Sequence, residues 1–192
     1  GSLRDWINAV QIVSKFPRVM IALYASFAAP LLAIFDCPNF ILDLCSRTSQ
    51  GKTTTQRLAG SVWGQPDERK TASVVQTWDQ TKVSVERRLA ILANLPLILD
   101  DTKRIKDVRQ IAEILYTVAS GQGRGRGSIQ GIQTVLSWST LLISSGEQRL
   151  TSFSNDGGVK MRVLEIEGAP FGSQNTETGK LVEALNFAVC QN

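Results

Sequence analysis

Ser46-Arg47-Thr48-Ser49-Gln50-Gly51-Lys52-Thr53 is the stretch of the chain whose residue types and spacing most clearly specify chemistry. Its last three residues match the phosphate-binding pattern G-x-x-x-x-G-K-[ST], with Ser46 in place of the first glycine. A loop of this kind turns its backbone N–H groups inward around phosphate oxygens. Gly51 allows the chain to approach closely, and a helix opening at Lys52 adds partial positive charge. Lys52 is spaced to reach the β and γ phosphates of ATP, and the Thr53 hydroxyl to hold Mg²⁺. Ser49, Gln50 and Thr54 complete the nucleotide-binding set. Ser46 is tolerable if its position does not require a positive φ. The alternative is a chance Gly-Lys-Thr at a helix start, and the strand–loop–helix context weighs against it.

Ile98-Leu99-Asp100-Asp101 supplies the partner chemistry. An apolar strand delivers a carboxylate at its C-terminal edge, beside the phosphate loop. Asp100 is the candidate Mg²⁺ ligand, and Asp101 the group that orients and deprotonates the attacking water. Neighbouring residues on an extended strand point to opposite faces, so the two acids should play different roles. Many hydrolytic P-loop enzymes carry Glu at the second position, and Asp101 is one methylene shorter. A capping pair after a strand is the plainer alternative. Leu141-Leu142-Ile143-Ser144-Ser145-Gly146-Glu147 is a second apolar strand ending in polar groups, where Ser144 or Ser145 can touch the γ-phosphate or the water.

The cations divide into three groups. Arg149 and Arg162 are candidates for an arginine supplied to a neighbouring subunit's phosphates, with Arg162 preferred; each also reads as an ordinary surface or paired arginine. Arg124 and Arg126 stand between glycines in Gly121–Gly131, a basic loop without acids that suits a polyanion backbone. The loop has no aromatics, which argues against base stacking as its main mode. A solvated loop or an ATP-clamping lid are its other readings. Lys103, Arg104, Lys106 and Arg109 add charge beside the nucleotide site, facing DNA, a neighbouring subunit or solvent.

These groups need a scaffold that brings strand ends together. Hydrophobic spacing predicts two helices over 3–35, broken near Pro17, and a strand over Phe40–Cys45. A helix follows over Lys52–Trp63, ended by Gly64-Gln65-Pro66. Thr71–Trp78 reads as a strand, Thr81–Ala93 as a helix, Leu95–Leu99 as a strand and Val108–Ala119 as a helix. Thr134–Trp138, Leu141–Ser144 and Met161–Ile166 read as further strands, with a flexible Ser154–Gly158 before the last and a helix from Thr178. Strands alternating with helices specify an α/β fold with a central, mostly parallel sheet covered on both faces.

The 192 residues amount to one domain, 43% hydrophobic and 20% charged, which excludes extended disorder and coiled coil for the whole. Histidine is absent, which removes Ser-His-Asp and Cys-His catalysis and His-ligated zinc. Three cysteines without a C-x-x-C fit a reducing cytoplasm rather than a disulfide framework. The net charge of +4 mildly favours an anionic partner. Val19–Phe35 is uncharged but holds only 17 residues, short of the ~20 a membrane span needs, and is expected to be a buried core helix. No signal peptide is apparent. The leading Gly1-Ser2 and a terminal helix over Leu181–Gln191 fit a piece of a longer protein.

Taken in order, S-F-A-A-P-L-L (26–32), S-Q-G-K-T-T (49–54), T-W-D-Q-T-K-V (77–83), N-L-P-L-I-L-D-D-T-K (94–103), G-Q-G-R-G-R-G (121–127), I-S-S-G-E (143–147), G-G-V-K-M-R-V-L-E-I (157–166) and G-A-P-F-G (168–172) carry a resemblance. The chain resembles the AAA+ domain of the MCM-like, self-loading replicative helicases of staphylococcal cassette chromosomes and related mobile elements. The resemblance implies a P-loop ATPase of the additional-strand type. Residues 3–36 would be N-terminal helices, 37–170 the core and 171–192 the start of a C-terminal part. It implies a bacterial, cytoplasmic, hexameric DNA translocase driven by ATP and Mg²⁺, with single-stranded DNA in a central pore lined by the Arg124–Arg126 hairpin. Lys52, Thr53, Asp100 and Asp101 correspond to the ATP site, Ser145 to a sensor and Arg162 to the trans arginine. An AAA+ switch or loader that does not unwind DNA is the alternative function.

Overall fold

A computed structural model describes residues 2–125, 127–128, 131–132 and 134–191, with the backbone alone for those between 127 and 132. The elements run α1 (Leu3–Val13), α2 (Pro17–Ile34), β1 (Phe40–Cys45), α3 (Lys52–Gly60), β2 (Val75–Thr77), α4 (Lys82–Leu92), β3 (Leu97–Asp100), α5 (Arg109–Ser120), β4 (Gly127–Ser128), β5 (Gly131–Ile132), β6 (Leu141–Gly146), α6 (Gly157–Lys160), β7 (Val163–Glu167) and α7 (Thr176–Gln191). Short 3-10 turns cover Thr102–Arg104 and Leu150–Phe153.

Five strands form one sheet in the order β2-β3-β6-β1-β7, every pair parallel. β6 separates β1, which leads into the 46–51 loop, from β3, which ends in Asp100. This is the α/β P-loop arrangement with an additional strand, and it places the C-terminal ends of β1, β3 and β6 on one rim. β4 and β5 form a separate antiparallel pair.

The alternation of side chains along the strands assigns the two faces. Leu42, Leu44, Ile98 and Ile143 pack with Ala22, Ala25, Ala29 and Ala59 of α2 and α3. Ile41, Leu97, Leu99 and Leu142 pack on the other face with Leu89, Ile111, Ile114, Leu115 and Val118 of α4 and α5. Burying each such Leu or Ile contributes about 1.5–3 kcal/mol. α1 and α7 lie beyond α3, where Leu58 and Phe171 meet Leu185 and Val189. Ser26 fastens α2 to α3 by donating to the Ala59 carbonyl at 2.7 Å while accepting from the Trp63 indole at 2.9 Å.

Several elements differ from the sequence expectations. α3 stops at Gly60, and residues 61–63 form a turn closed by the Trp63 N–H on the Gly60 carbonyl at 2.9 Å before Gly64 is reached. The strand expected over Thr71–Trp78 shrinks to Val75–Thr77. Thr134–Trp138 joins no ladder: a lone bridge pairs Gln122 with Ser137, and the Trp138 indole plugs the core and donates to the Val118 carbonyl. Ser154–Gly158 is not irregular throughout, because the Asp156 carboxylate accepts from the Val159 N–H and starts α6. α2 is only half a core helix. Val19, Ala22, Leu23, Ser26 and Ala29 are buried, whereas Tyr24, Phe27, Leu31 and Ile34 are exposed. By length and composition alone α2 is also long and apolar enough to cross a membrane.

Candidate nucleotide site

The candidate phosphate loop, residues 46–51, is shaped by β1 below and α3 beyond. Gly51 has φ +88°, and a Cβ there would meet the Phe171 ring at 2.5 Å, so only glycine fits. Ser49 adopts φ +58°, and its carbonyl accepts from the Gln174 amide. Ser46 is not among the positive-φ residues, which is why serine stands where the motif has glycine. Its carbonyl and that of Arg47 accept from the Lys52 ammonium at 2.6 and 2.7 Å. Burial pulls the Lys52 ammonium below the usual lysine range, against the pull of Glu147, Asp100 and Asp101.

Asp100 is only 6% exposed, yet both oxygens are served. Thr53 donates to it at 3.2 Å and Ser145 to its Oδ1 at 2.6 Å. Burial raises the Asp100 carboxyl above its ordinary range, with the two hydroxyls opposing the rise. The Ser145 oxygen also accepts the Asp101 N–H at 3.0 Å, so one hydroxyl ties the two acids together. Gln56, one turn along α3 from Thr53, donates to the Leu99 carbonyl at 2.9 Å and sets the loop helix against β3.

Asp101 does not sit on the strand, contrary to the opposite-face expectation. β3 ends at Asp100, and Asp101 takes φ 61°. That left-handed turn keeps Asp101 at the same cleft as Asp100, where its carboxylate accepts from the Lys103 N–H at 3.1 Å and caps the 3-10 turn.

The resulting cleft holds about 430 Å³. It brings together Ser49, Gln50, Gly51, Lys52, Thr53, Thr54, Asp100, Asp101 and Ser145 from three chain segments. Arg57, Glu68, Arg104, Glu147 and Val182 also line it. Arg57 is committed elsewhere: it pairs with Glu68 at 2.6 Å and donates to Asn186 on α7 at 3.0 Å, and Asn186 in turn donates to Thr54 at 2.9 Å. Nothing in the sequence spacing marks these partners, because they converge only when α7 docks on α3. Glu147 is held below the usual carboxylate range by the Lys103 ammonium 2.6 Å away.

Ser144 and Ser145 take different faces. Ser144 is buried and accepts from the Trp78 indole at 3.2 Å, away from the cleft. Arg162 lies at the opposite rim, before β7, where it donates to the Ala119 carbonyl at the end of α5 at 3.0 Å. One strand length, roughly 20 Å for six residues, separates it from its own phosphate loop. Arg149 pairs with Glu167. Arg124 is exposed on a groove with Lys82, Tyr116 and Ser120 on the α4–α5 side. Arg126 lies outside the described residues.

The cleft suits a hydrated divalent cation shared with phosphates. Among the described residues no group of three or more His, Cys, Asp or Glu can hold a metal alone. Thr53 and Asp100 offer adjacent oxygen donors, the set that Mg²⁺ uses when substrate phosphates and water complete its shell.

A family model described as a domain of unknown function (DUF927) matches residues 1–135. No curated protein matches the chain. A solved structure described as "SCCmec type IV Cch - active helicase" superposes with a TM-score of 0.79 at 23% identity, covering all of this chain and 35% of that one. The chain therefore spans about a third of the length of that structure, and the likeness establishes the fold.

Proposed function

The chain belongs to the family described as a domain of unknown function (DUF927), and we propose that it is the ATP-hydrolysing motor domain of a ring-forming, AAA+ type DNA helicase of a mobile genetic element. The convergence of Lys52, Thr53, Asp100, Asp101 and Ser145 on one cleft, with β6 inserted between their strands, carries this reading. The similar solved structure is described as an active helicase, which supports the DNA-unwinding part.

ATP is the substrate, and Mg²⁺ bound with it supplies charge neutralisation at the β and γ phosphates. Thr53 and Asp100 hold the cation, and the Lys52 ammonium leaves the Ser46 and Arg47 carbonyls for the phosphates. The backbone N–H groups of Ser49–Thr54 orient the triphosphate at the start of α3. Asp101 positions and accepts a proton from the attacking water, and Ser145 holds the two acids in register. Arg162 acts on the cleft of a neighbouring copy, which its place on the far rim supports. Arg124 and Arg126 contact the backbone of single-stranded DNA in the pore. Such a protein works in the bacterial cytoplasm.

Steady-state phosphate release, measured with and without single-stranded DNA across protein concentration, tests the reading. Turnover that rises with both and vanishes in Lys52→Ala is expected. Lys52-dependent ATP binding without turnover or strand separation, on the full-length parent as well, would favour an AAA+ switch or loader. ATP turnover unchanged by Lys52→Ala would remove the phosphate-loop assignment.

A further inference from the structure

The 3-10 turn Thr102–Arg104 is held against the cleft by three independent contacts. The Asp101 carboxylate accepts from the Lys103 N–H, the Lys103 ammonium reaches across to Glu147 at 2.6 Å, and Thr102 is buried against Gly146 so closely that a Cβ on Gly146 would collide with its hydroxyl. The turn is therefore a fixed platform attached to both β3 and β6. It carries two cations. Lys103 is consumed by Glu147. Arg104 lines the nucleotide cleft, and among the described residues its guanidinium makes no hydrogen bond or ion pair.

The cleft's other two lining cations differ from it. Arg57 is satisfied by Glu68 and Asn186, and Lys52 belongs to the phosphate loop. Arg104 also approaches from a particular side. The Thr53–Asp100 contact marks the metal-binding end of the cleft, and Arg104 follows four residues after Asp100 on that same side. The Phe171 and α7 side lies across β1, at the other end of the sheet order. An unpaired guanidinium on a rigid turn, facing an anion-binding cleft at its metal end, is suited to bidentate contact with phosphate oxygens.

We propose that Arg104 binds the terminal phosphate of a nucleoside triphosphate held in the cleft of its own chain. The assignment rests on the nucleotide reading above and deepens it: Arg104 makes the cleft distinguish triphosphate from diphosphate. It also gives one member of the basic 103–109 segment a ligand, while Arg109 stays paired with Asp107 outside the cleft.

Equilibrium binding of fluorescent ATP and ADP analogues to the full chain, with Mg²⁺ and at protein concentrations too dilute for assembly, tests it. Arg104→Ala should weaken ATP binding by about tenfold or more, the size of a lost charge-assisted contact, and ADP binding by less than about twofold. Arg104→Lys should recover part of the ATP loss, because charge returns without the planar fork. Arg109→Ala should change neither. Lys52-dependent ATP binding that Arg104→Ala leaves unchanged, or an equal loss for ATP and ADP, overturns the inference and leaves the phosphate loop standing. A loss seen only at concentrations that assemble copies overturns the same-chain assignment. Absence of any ATP binding by the wild-type chain overturns both readings.

Discussion

Asp100 and Asp43 are buried carboxylates on two strands of one sheet, β3 and β1, with β6 between them, and they face opposite ways. Asp100, on β3, looks toward α3 and the cleft, and hydroxyls of Thr53 and Ser145 serve both its oxygens. Asp43, on β1, looks toward the α4–α5 side and is 0% exposed. Its Oδ2 accepts from the Leu150 N–H at 3.1 Å, and beyond this, among the described residues, the carboxyl has only the nearby Ser144 hydroxyl. Glu165 is its register neighbour on β7. Burial, with some help from the Glu165 charge, pushes the Asp43 carboxyl up to about 7, against the Leu150 N–H, the Ser144 hydroxyl and the more distant Lys52. Both acids have raised pKa values, and the difference lies in access. A cation entering the cleft can neutralise Asp100, whereas the sealed Asp43 is neutralised only by a proton. A perturbed carboxyl thus marks a site only when it borders a cavity.

The largest effect should separate the two acids by function. Asp100→Asn should lower ATP turnover on the order of 10³-fold, about 4 kcal/mol of barrier, by removing the metal-holding charge. Asp43→Asn should keep turnover within about threefold, since no atom of Asp43 borders the cleft. Steady-state kinetics on folded variants decides this, and a comparable loss in Asp43→Asn would end the contrast.

Next in size is a pH effect from Asp43. Its folded pKa of about 7 lies above the ordinary value of 3.8, so the folded state holds the extra proton between them. Stability from this group is complete below about pH 4 and is lost as pH rises through about 7, by up to about 4 kcal/mol. Urea midpoints across that window should fall for the wild type, and Asp43→Asn should flatten the slope. A wild-type profile that rises over the same window, with no change in the variant, would show that Asp43 is already ionised.

The smallest effect contrasts adjacent serines. Ser145→Ala should slow turnover about tenfold by releasing Asp100 and the Asp101 N–H. Ser144→Ala should cost about 1 kcal/mol of stability by orphaning the Trp78 indole, with turnover unchanged. Equal kinetic losses in both would show that the strand face does not separate their roles.

The strand–loop–helix around Gly51-Lys52-Thr53, the acidic strand end and the polar strand were legible in sequence because each is a local pattern: a strand, its terminal polar residues and a helix or turn within a short run of chain. Helices α1, α2, α4 and α5 were legible for the same reason, through hydrophobic spacing. Thr134–Trp138 misled because aromatic and β-branched residues also serve extended segments that plug a core. The left-handed turn at Asp101 was invisible, since aspartate carries no mark of φ 61°.

The choice between Ser144 and Ser145 needed β6 to be seated between β1 and β3, which sets which face meets α3. The Arg57–Glu68–Asn186–Thr54 network joins residues up to 132 positions apart, and no period or motif links them. Arg104 reads in sequence as one more solvated cation, and its place in the cleft depends on the packing of Thr102 against Gly146. Local chemistry is written in short-range order, whereas the company a side chain keeps is decided by which distant surfaces share a core. The sequence by itself determined most of the elements, the Gly51-Lys52-Thr53 loop pattern and the acid pair; the tertiary structure alone decided which acids border the cleft, which serine bonds Asp100 and which arginine lines the cleft.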